Sequence, residues 1–239
     1  MSKFSKLVGA ALVAASFSVS AGVLDSFTDT QAVSTTATGV WVEAAQVSDV
    51  SGTIFGGYRE IGVMKTSGGA TRAVTADVNV DPGLYTFSSD IGTRGIGKIR
   101  YDGAVDSSLA AGPDLTSNLG SLTALGAGVV FTYDTDLSFS VEIEIWDTSG
   151  NSVYGVFLTT PNPSPGFLSE TVLWTDLDPT MLSIDWNNIA AIDVTLNGVT
   201  DTTRIDLSVK AVEYVPEPGI LGLMGFGLFG LGLARRRKA

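Results

Sequence analysis

The chain has no cysteine and no histidine in 239 residues. No disulfide can form, so whatever folds must be held by its core alone. Thiol nucleophiles, imidazole bases and the ordinary ligand sets of zinc are excluded together. Positive charge is also scarce: fourteen Lys and Arg stand against twenty-five Asp and Glu, and six of those fourteen cations lie near the termini. Over residues 22–215 the balance is eight cations against twenty-four anions, a net charge of −16. Such a surface repels nucleic acid and anionic membrane and keeps a protein soluble.

The two ends differ from the middle. Lys3 and Lys6 precede eleven uncharged, mainly apolar residues, Leu7 to Phe17, and Val19-Ser20-Ala21 then offers small side chains. This order is that of a secretory signal peptide, with the cut expected between Ala21 and Gly22. Eleven residues fall well short of the roughly twenty that a membrane helix needs. With no cysteine at the cut, lipid attachment to a processed N-terminus is excluded.

The other end carries an uncharged run of sixteen residues, Gly219 to Ala234, followed by Arg235, Arg236, Arg237 and Lys238. As a single helix it would measure about 24 Å, just short of a hydrocarbon core of roughly 30 Å, and the cations can snorkel to extend it. Eight Leu, Ile and Phe favour insertion while six glycines dilute it, so the expected hold is weak or temporary. The cations act as a stop-transfer signal and leave the rest of the chain outside. Immediately upstream, Pro216-Glu217-Pro218 is extended, because proline lacks an N–H and disfavours helix in the residue before it.

A Pro-Glu-Pro triplet, a short apolar helix and an arginine-rich tail, in that order, resemble the PEP-CTERM sorting signal of Gram-negative bacteria. The resemblance implies export by the Sec machinery and a transient inner-membrane stage. Recognition and cleavage at the tail by a membrane-embedded exosortase would follow, with delivery to the cell surface or an exopolysaccharide matrix of the kind that forms biofilms. The expected organisation is a signal peptide at 1–21, an ectodomain at 22–215 and a sorting signal at 216–239.

The ectodomain reads as strands. In residues 137–145, Leu137, Phe139, Val141, Ile143 and Ile145 alternate with Ser138, Ser140, Glu142 and Glu144, so one face is buried and the other wet. Similar segments are expected at 59–64, 71–80, 84–88, 98–101, 128–133, 153–158, 170–174, 191–196 and 204–214, separated by Gly-, Asn- and Pro-containing turns. About ten short strands without a convincing long helix predict an all-β, antiparallel sandwich. Residues 102–127 are long for a loop; Leu115, Leu119, Leu122 and Leu125 have helical spacing there, but interspersed Gly and Ser allow only a turn of helix or a short strand.

The layout is similar to jelly-roll, galactose-binding-like ectodomains. Its matching pieces are Gly56 to Ile61, Asp114-Leu115-Thr116, Trp146 to Asn151, Ile184 to Ile189 and Ala191 to Val194. That likeness implies a jelly-roll fold and points to carbohydrate contact.

Three sets of side chains could carry chemistry. Glu142 and Glu144 share one strand face about 6.6 Å apart, close to the carboxylate spacing of inverting glycosidases, although any wet strand face also selects glutamate. Asp134 with Asp136, and Asp176 with Asp178, could help to hold a structural calcium ion, or simply cap turns. Trp41, Trp146, Trp174 and Trp186, with Tyr58 and Tyr101, are the rings that could stack on a sugar or fill the core. Trp146 falls on the wet side with Glu142 and Glu144, and it and Tyr58 are the expected carbohydrate contacts. The sequence therefore predicts an exported, non-enzymatic, exopolysaccharide-associated protein without a cofactor. Two rivals remain open: a polysaccharide-acting enzyme using carboxylates only, and an ice- or surface-adhesion protein.

Overall fold

A computed structural model describes residues 23–48, 53–79, 83–104, 108–122, 127–162, 166–177, 184–200 and 202–215. The sorting triplet, the apolar run, the basic tail and the Ala21/Gly22 junction lie outside them, as does Asp178. Among the described residues no helix is long and apolar enough to cross a membrane. Gly22–Val215 cluster as one compact unit.

Among the described residues fourteen strands make two antiparallel sheets, the all-β sandwich expected from the alternation. The first contains β1 (Val23–Asp25), β2 (Gln31–Thr35), β6 (Val74–Asn79), β7 (Leu84–Ser89), β9 (Gly128–Thr135), β12 (Leu168–Leu173) and β14 (Asp206–Val215). Its order is β12-β9-β14-β7-β6-β2, with β1 beside β14. The second contains β3 (Trp41–Glu43), β4 (Val47–Ser48), β5 (Tyr58–Ser67), β8 (Arg94–Tyr101), β10 (Ser140–Asp147), β11 (Ser152–Leu158) and β13 (Ile189–Leu196). Its order is β11-β10-β13-β8-β5-β3, with β4 against β5.

Period-two patterning decides which side of each strand enters the core. In β10, Val141, Ile143 and Ile145 are buried, as are Ile192, Val194 and Leu196 of β13. Facing them are Val129, Phe131 and Tyr133 of β9 and Leu207, Val209 and Val212 of β14. Phe131 and Phe157 meet across the sheets with ring centroids 5.6 Å apart. The sheets approach closely at β8, where a Cβ on Gly95 would lie 2.5 Å from Val74 and one on Gly97 2.8 Å from the Phe87 ring. Side chains at those two positions would drive the sheets apart.

The expected strands are present with shifted ends, whereas β1 to β4 carried too little alternation to be seen in the sequence. Leu137 lies before β10, half-exposed. The leucine spacing in 102–127 does not form a helix among the described residues. Leu109 and Leu122 are buried individually, and Leu119 fills the hollow over Gly56 and Gly103. Backbone bonds from Leu119 N to Ile189 O (2.7 Å) and from Ile189 N to Gly120 O (3.0 Å) fasten this segment to the start of β13.

Among the described residues three cations are fully buried, Arg59, Lys65 and Arg100. Arg59 of β5 places Nη1 2.9 Å from both carboxylate oxygens of Asp25, on β1 of the other sheet. Its Nε donates to Gln31 Oε1 at 2.7 Å, its Nη2 to the Asp29 carbonyl, and its guanidinium stands 5.6 Å from the Phe27 ring centroid. Asp25 also accepts from Tyr101 Oη at 2.9 Å and from the Phe27 N–H at 2.7 Å. Phe27 takes a left-handed backbone conformation (φ 54°), rare for an aromatic residue. Burial pushes the Asp25 carboxyl above its usual range against the pull of Arg59. The second cation, Lys65, is wholly buried and donates to the carbonyls of Thr36 (3.1 Å), Gly69 (2.6 Å) and Arg72 (3.0 Å).

Removing one partner of a buried ion pair leaves an uncompensated charge, so Arg59→Met should destabilise the domain by about 3–5 kcal/mol. Urea unfolding checks this; a loss below about 1 kcal/mol would show that the pair is dispensable.

Candidate functional site

Glu142, Glu144 and Trp146 all project from β10 onto the outer face of the second sheet, as the alternation requires. The pairing register gives their neighbours. Glu144 lies between Tyr154 of β11 and Asp193 of β13, and Asp193 is followed by Arg100 of β8 and Glu60 of β5. In the adjacent row Glu142 lies between Val156 and Thr195, followed by Lys98, Gly62 and Glu43. Trp41 of β3 shares this face, with the Lys98 ammonium 5.7 Å from its ring centroid.

Asp193 anchors the patch. Lys98 Nζ lies 2.9 Å from its Oδ2, and Arg100 reaches both oxygens through Nε (2.8 Å) and Nη2 (2.9 Å). Arg100 also donates Nη1 to the Ser108 carbonyl at 2.9 Å, while Ser108 Oγ donates to Glu43 at 3.1 Å. Burial works against the charge on Arg100, but the bonds and field of Asp193 outweigh it and raise its pKa. The segment around Leu109 covers Gly62, where a Cβ would lie 2.5 Å from a Leu109 methyl. One side of the face is therefore roofed, and the β10–β11 side is open.

On the open side the carboxylates are met by hydroxyls instead of cations. Tyr154 Oη donates to Glu142 Oε2 at 3.3 Å and Ser152 Oγ to Glu144 Oε1 at 3.3 Å. Neither glutamate has an ion pair among the described residues. Burial, with Asp193 adding to it, raises the Glu144 carboxyl above its usual value. Tyr154, Val156 and Leu158 are exposed beside them, 40%, 43% and 62% respectively, which makes the rim apolar. Both carboxylates rise from one strand to one side, so they do not oppose each other across a gap as a glycosidase pair must.

The two expected carbohydrate contacts are not neighbours. Trp146 is half-buried on β10, whereas Tyr58 begins β5 and pairs with Ser48 of β4; β13 and β8 run between them. Of the other tryptophans, Trp174 is buried and its ring lies 5.9 Å from that of Trp186. Trp41, Lys98, Arg100, Tyr154 and Asp193 were not singled out as a group from the sequence. The available signal was Asp193, a carboxylate inside an otherwise apolar strand, which demands a buried cation.

Several conspicuous motif residues hold turns. Asp147 Oδ1 accepts from Ser149 N (2.8 Å) and Asn151 N (2.9 Å), and its Oδ2 from Asn151 Nδ2 (2.8 Å) and Asp185 N (2.9 Å). Burial would raise this carboxyl, but those four bonds lower it. Asp185 in turn accepts from Asn187 N and Asn188 Nδ2. Asp176 accepts from Leu173 N at 3.1 Å. Asp134 and Asp136 line a groove of about 600 Å³ on the first sheet with Asp206, whose N–H donates to Asp136. No three carboxylates converge closely enough to hold a metal ion among the described residues.

Residues 215–238 match the PEP-CTERM protein-sorting motif. No curated protein matches the sequence. Among solved structures, the chain is similar to a family 11 carbohydrate-binding module of a cellulosomal cellulase of Clostridium thermocellum. Identity is 12%, the TM-score 0.40, and the match covers 84% of this chain and 98% of that one. An agarase matches at 14% identity and TM-score 0.39 over 64% of this chain and 24% of its own. A mutant of a family 29 carbohydrate-binding module matches at 12% identity and TM-score 0.34, covering 74% and 94%.

A raised carboxyl pKa means the folded state holds the proton more tightly than the unfolded chain. Stability therefore falls as pH rises from the ordinary glutamate range through the raised value. Glu144→Gln removes that fall, so the variant's urea midpoint relative to wild type should be higher at pH 7 than at pH 4. A difference independent of pH would show that burial does not hold this proton.

Proposed function

We propose that this is an exported, non-enzymatic protein delivered to the cell envelope or extracellular matrix by its C-terminal sorting signal. There its ectodomain contacts polysaccharide through the outer face of the second sheet. The match of residues 215–238 to a protein-sorting motif carries the first half of this reading. The signal-like N-terminus supports it, because export must precede sorting.

The second half rests on the physical character of the face. A sugar ring presents a flat C–H surface and a fringe of hydroxyls. It is held by an exposed ring together with fixed donors and acceptors. Tyr154 offers the ring, with Trp41 and Trp146 on the same face, and Glu142, Glu144 and Lys98 are pinned at the positions described, Lys98 by the buried Asp193. Preorganised side chains lose little freedom on binding. Binding without hydrolysis is favoured because the two glutamates stand side by side. An exopolysaccharide of the matrix is the expected ligand.

Two experiments test the halves separately. Glu217→Ala should leave export intact but trap the precursor in the membrane, followed by fractionation and a tail-specific immunoblot. Tail loss at the wild-type rate would refute the sorting half. On a glycan array, purified 22–215 should bind one or more polysaccharides, and Tyr154→Ala should weaken binding roughly tenfold, about 1.4 kcal/mol. Unchanged binding by that variant would move the site elsewhere.

A further inference from the structure

The sorting motif starts on the last residue of a strand that stays paired to its end. The match begins at Val215, and Val215 also ends β14. The strand does not fray toward this end. Val215 pairs with Gly128 of β9, and its carbonyl accepts from the Ala127 N–H at 2.7 Å. Tyr214 pairs with Val129, is 2% exposed, and sets its ring edge-on to Phe55 at 6.0 Å. On its other side β14 is flanked by β1, with Val23 opposite Glu213 and Asp25 opposite Val212. Asp25 is in turn clamped by Arg59. Pro216 follows directly on a backbone held by β9 at Tyr214 and Val215 and by β1 at Val212 and Glu213.

A processing enzyme grips an extended backbone by enclosing several consecutive residues. Here there is no spacer in which to do so. A cleft that surrounds Pro216-Glu217-Pro218 and reaches one or two residues upstream meets β9, already paired with Val215 and Tyr214. From this geometry, and resting on the sorting reading above, we infer that tail processing is coupled to the fold. The enzyme acts on a state in which Tyr214 and Val215 have left β9, and the closed strand end is a latch that slows it. Local opening of a strand end costs less than global unfolding and requires no change in the rest of the sandwich. Tail removal then reports the opening equilibrium at this edge as well as the affinity for the triplet.

The test uses the full chain in its own host, in pulse–chase with a tail-specific immunoblot. An eight-residue Gly/Ser spacer inserted between Val215 and Pro216 leaves β14 and the motif intact and moves them apart. It should raise the initial rate of tail loss severalfold. Val215→Gly, which weakens the strand end alone, should raise it by a smaller factor, while far-UV circular dichroism of the purified variant stays that of the parent. Equal or slower tail loss in the spacer chain overturns the latch and leaves the sorting reading standing. Tail loss that also persists unchanged in Glu217→Ala overturns the sorting reading, and the latch with it.

Discussion

The buried pair of Asp25 and Arg59 is the constraint from which much of this sandwich can be understood. A charge taken out of water is tolerable only when its partner and remaining hydrogen bonds are all supplied, and here they come from four strands and the β1–β2 loop. Asp25 belongs to the first sheet through β1, Gln31 to its edge strand β2, and Arg59 and Tyr101 to the second sheet through β5 and β8. Apolar contacts between the sheets are non-directional and would tolerate sliding. The bidentate geometry at Arg59 does not, so it sets how β1 lies across the end of the sandwich.

The fold was legible because alternation is a physical necessity in a half-wet strand, and residues 137–145, which lead into β10, show it with nine residues of strict period two. The short strands β1 to β4 were not legible. Two to five residues contain too few repeats for a period to register, and β3 and β4 owe their existence to the edge of β5. The leucines of 102–127 illustrate the opposite failure. Among the described residues these leucines act singly: Leu119 drops into the hollow left by Gly56 and Gly103, and Leu122 is buried apart from it, while Leu125 lies outside the described residues.

The candidate face was half legible. Glu142, Glu144 and Trp146 were placed correctly because they share a strand. Tyr154, Asp193, Lys98, Arg100 and Trp41 come from four other strands, and their adjacency depends on a pairing register that no local pattern encodes. Conversely, Asp147 and Asp185 stood out in the sequence as polar motif residues, and the structure uses them to satisfy backbone N–H groups in turns. A carboxylate followed by Ser, Gly and Asn is more economically read as a turn hub, since its acceptors lie within reach of its own downstream amides.

Lys65 has one further consequence. Its ammonium gathers the carbonyls of Thr36, Gly69 and Arg72, a task that exported β-sheet proteins can also assign to a bound cation. A cation tethered by a covalent side chain cannot be extracted by chelators, diluted away or lost to competing ions. The loop that follows β5 should accordingly keep its shape whatever the mineral content of the surroundings.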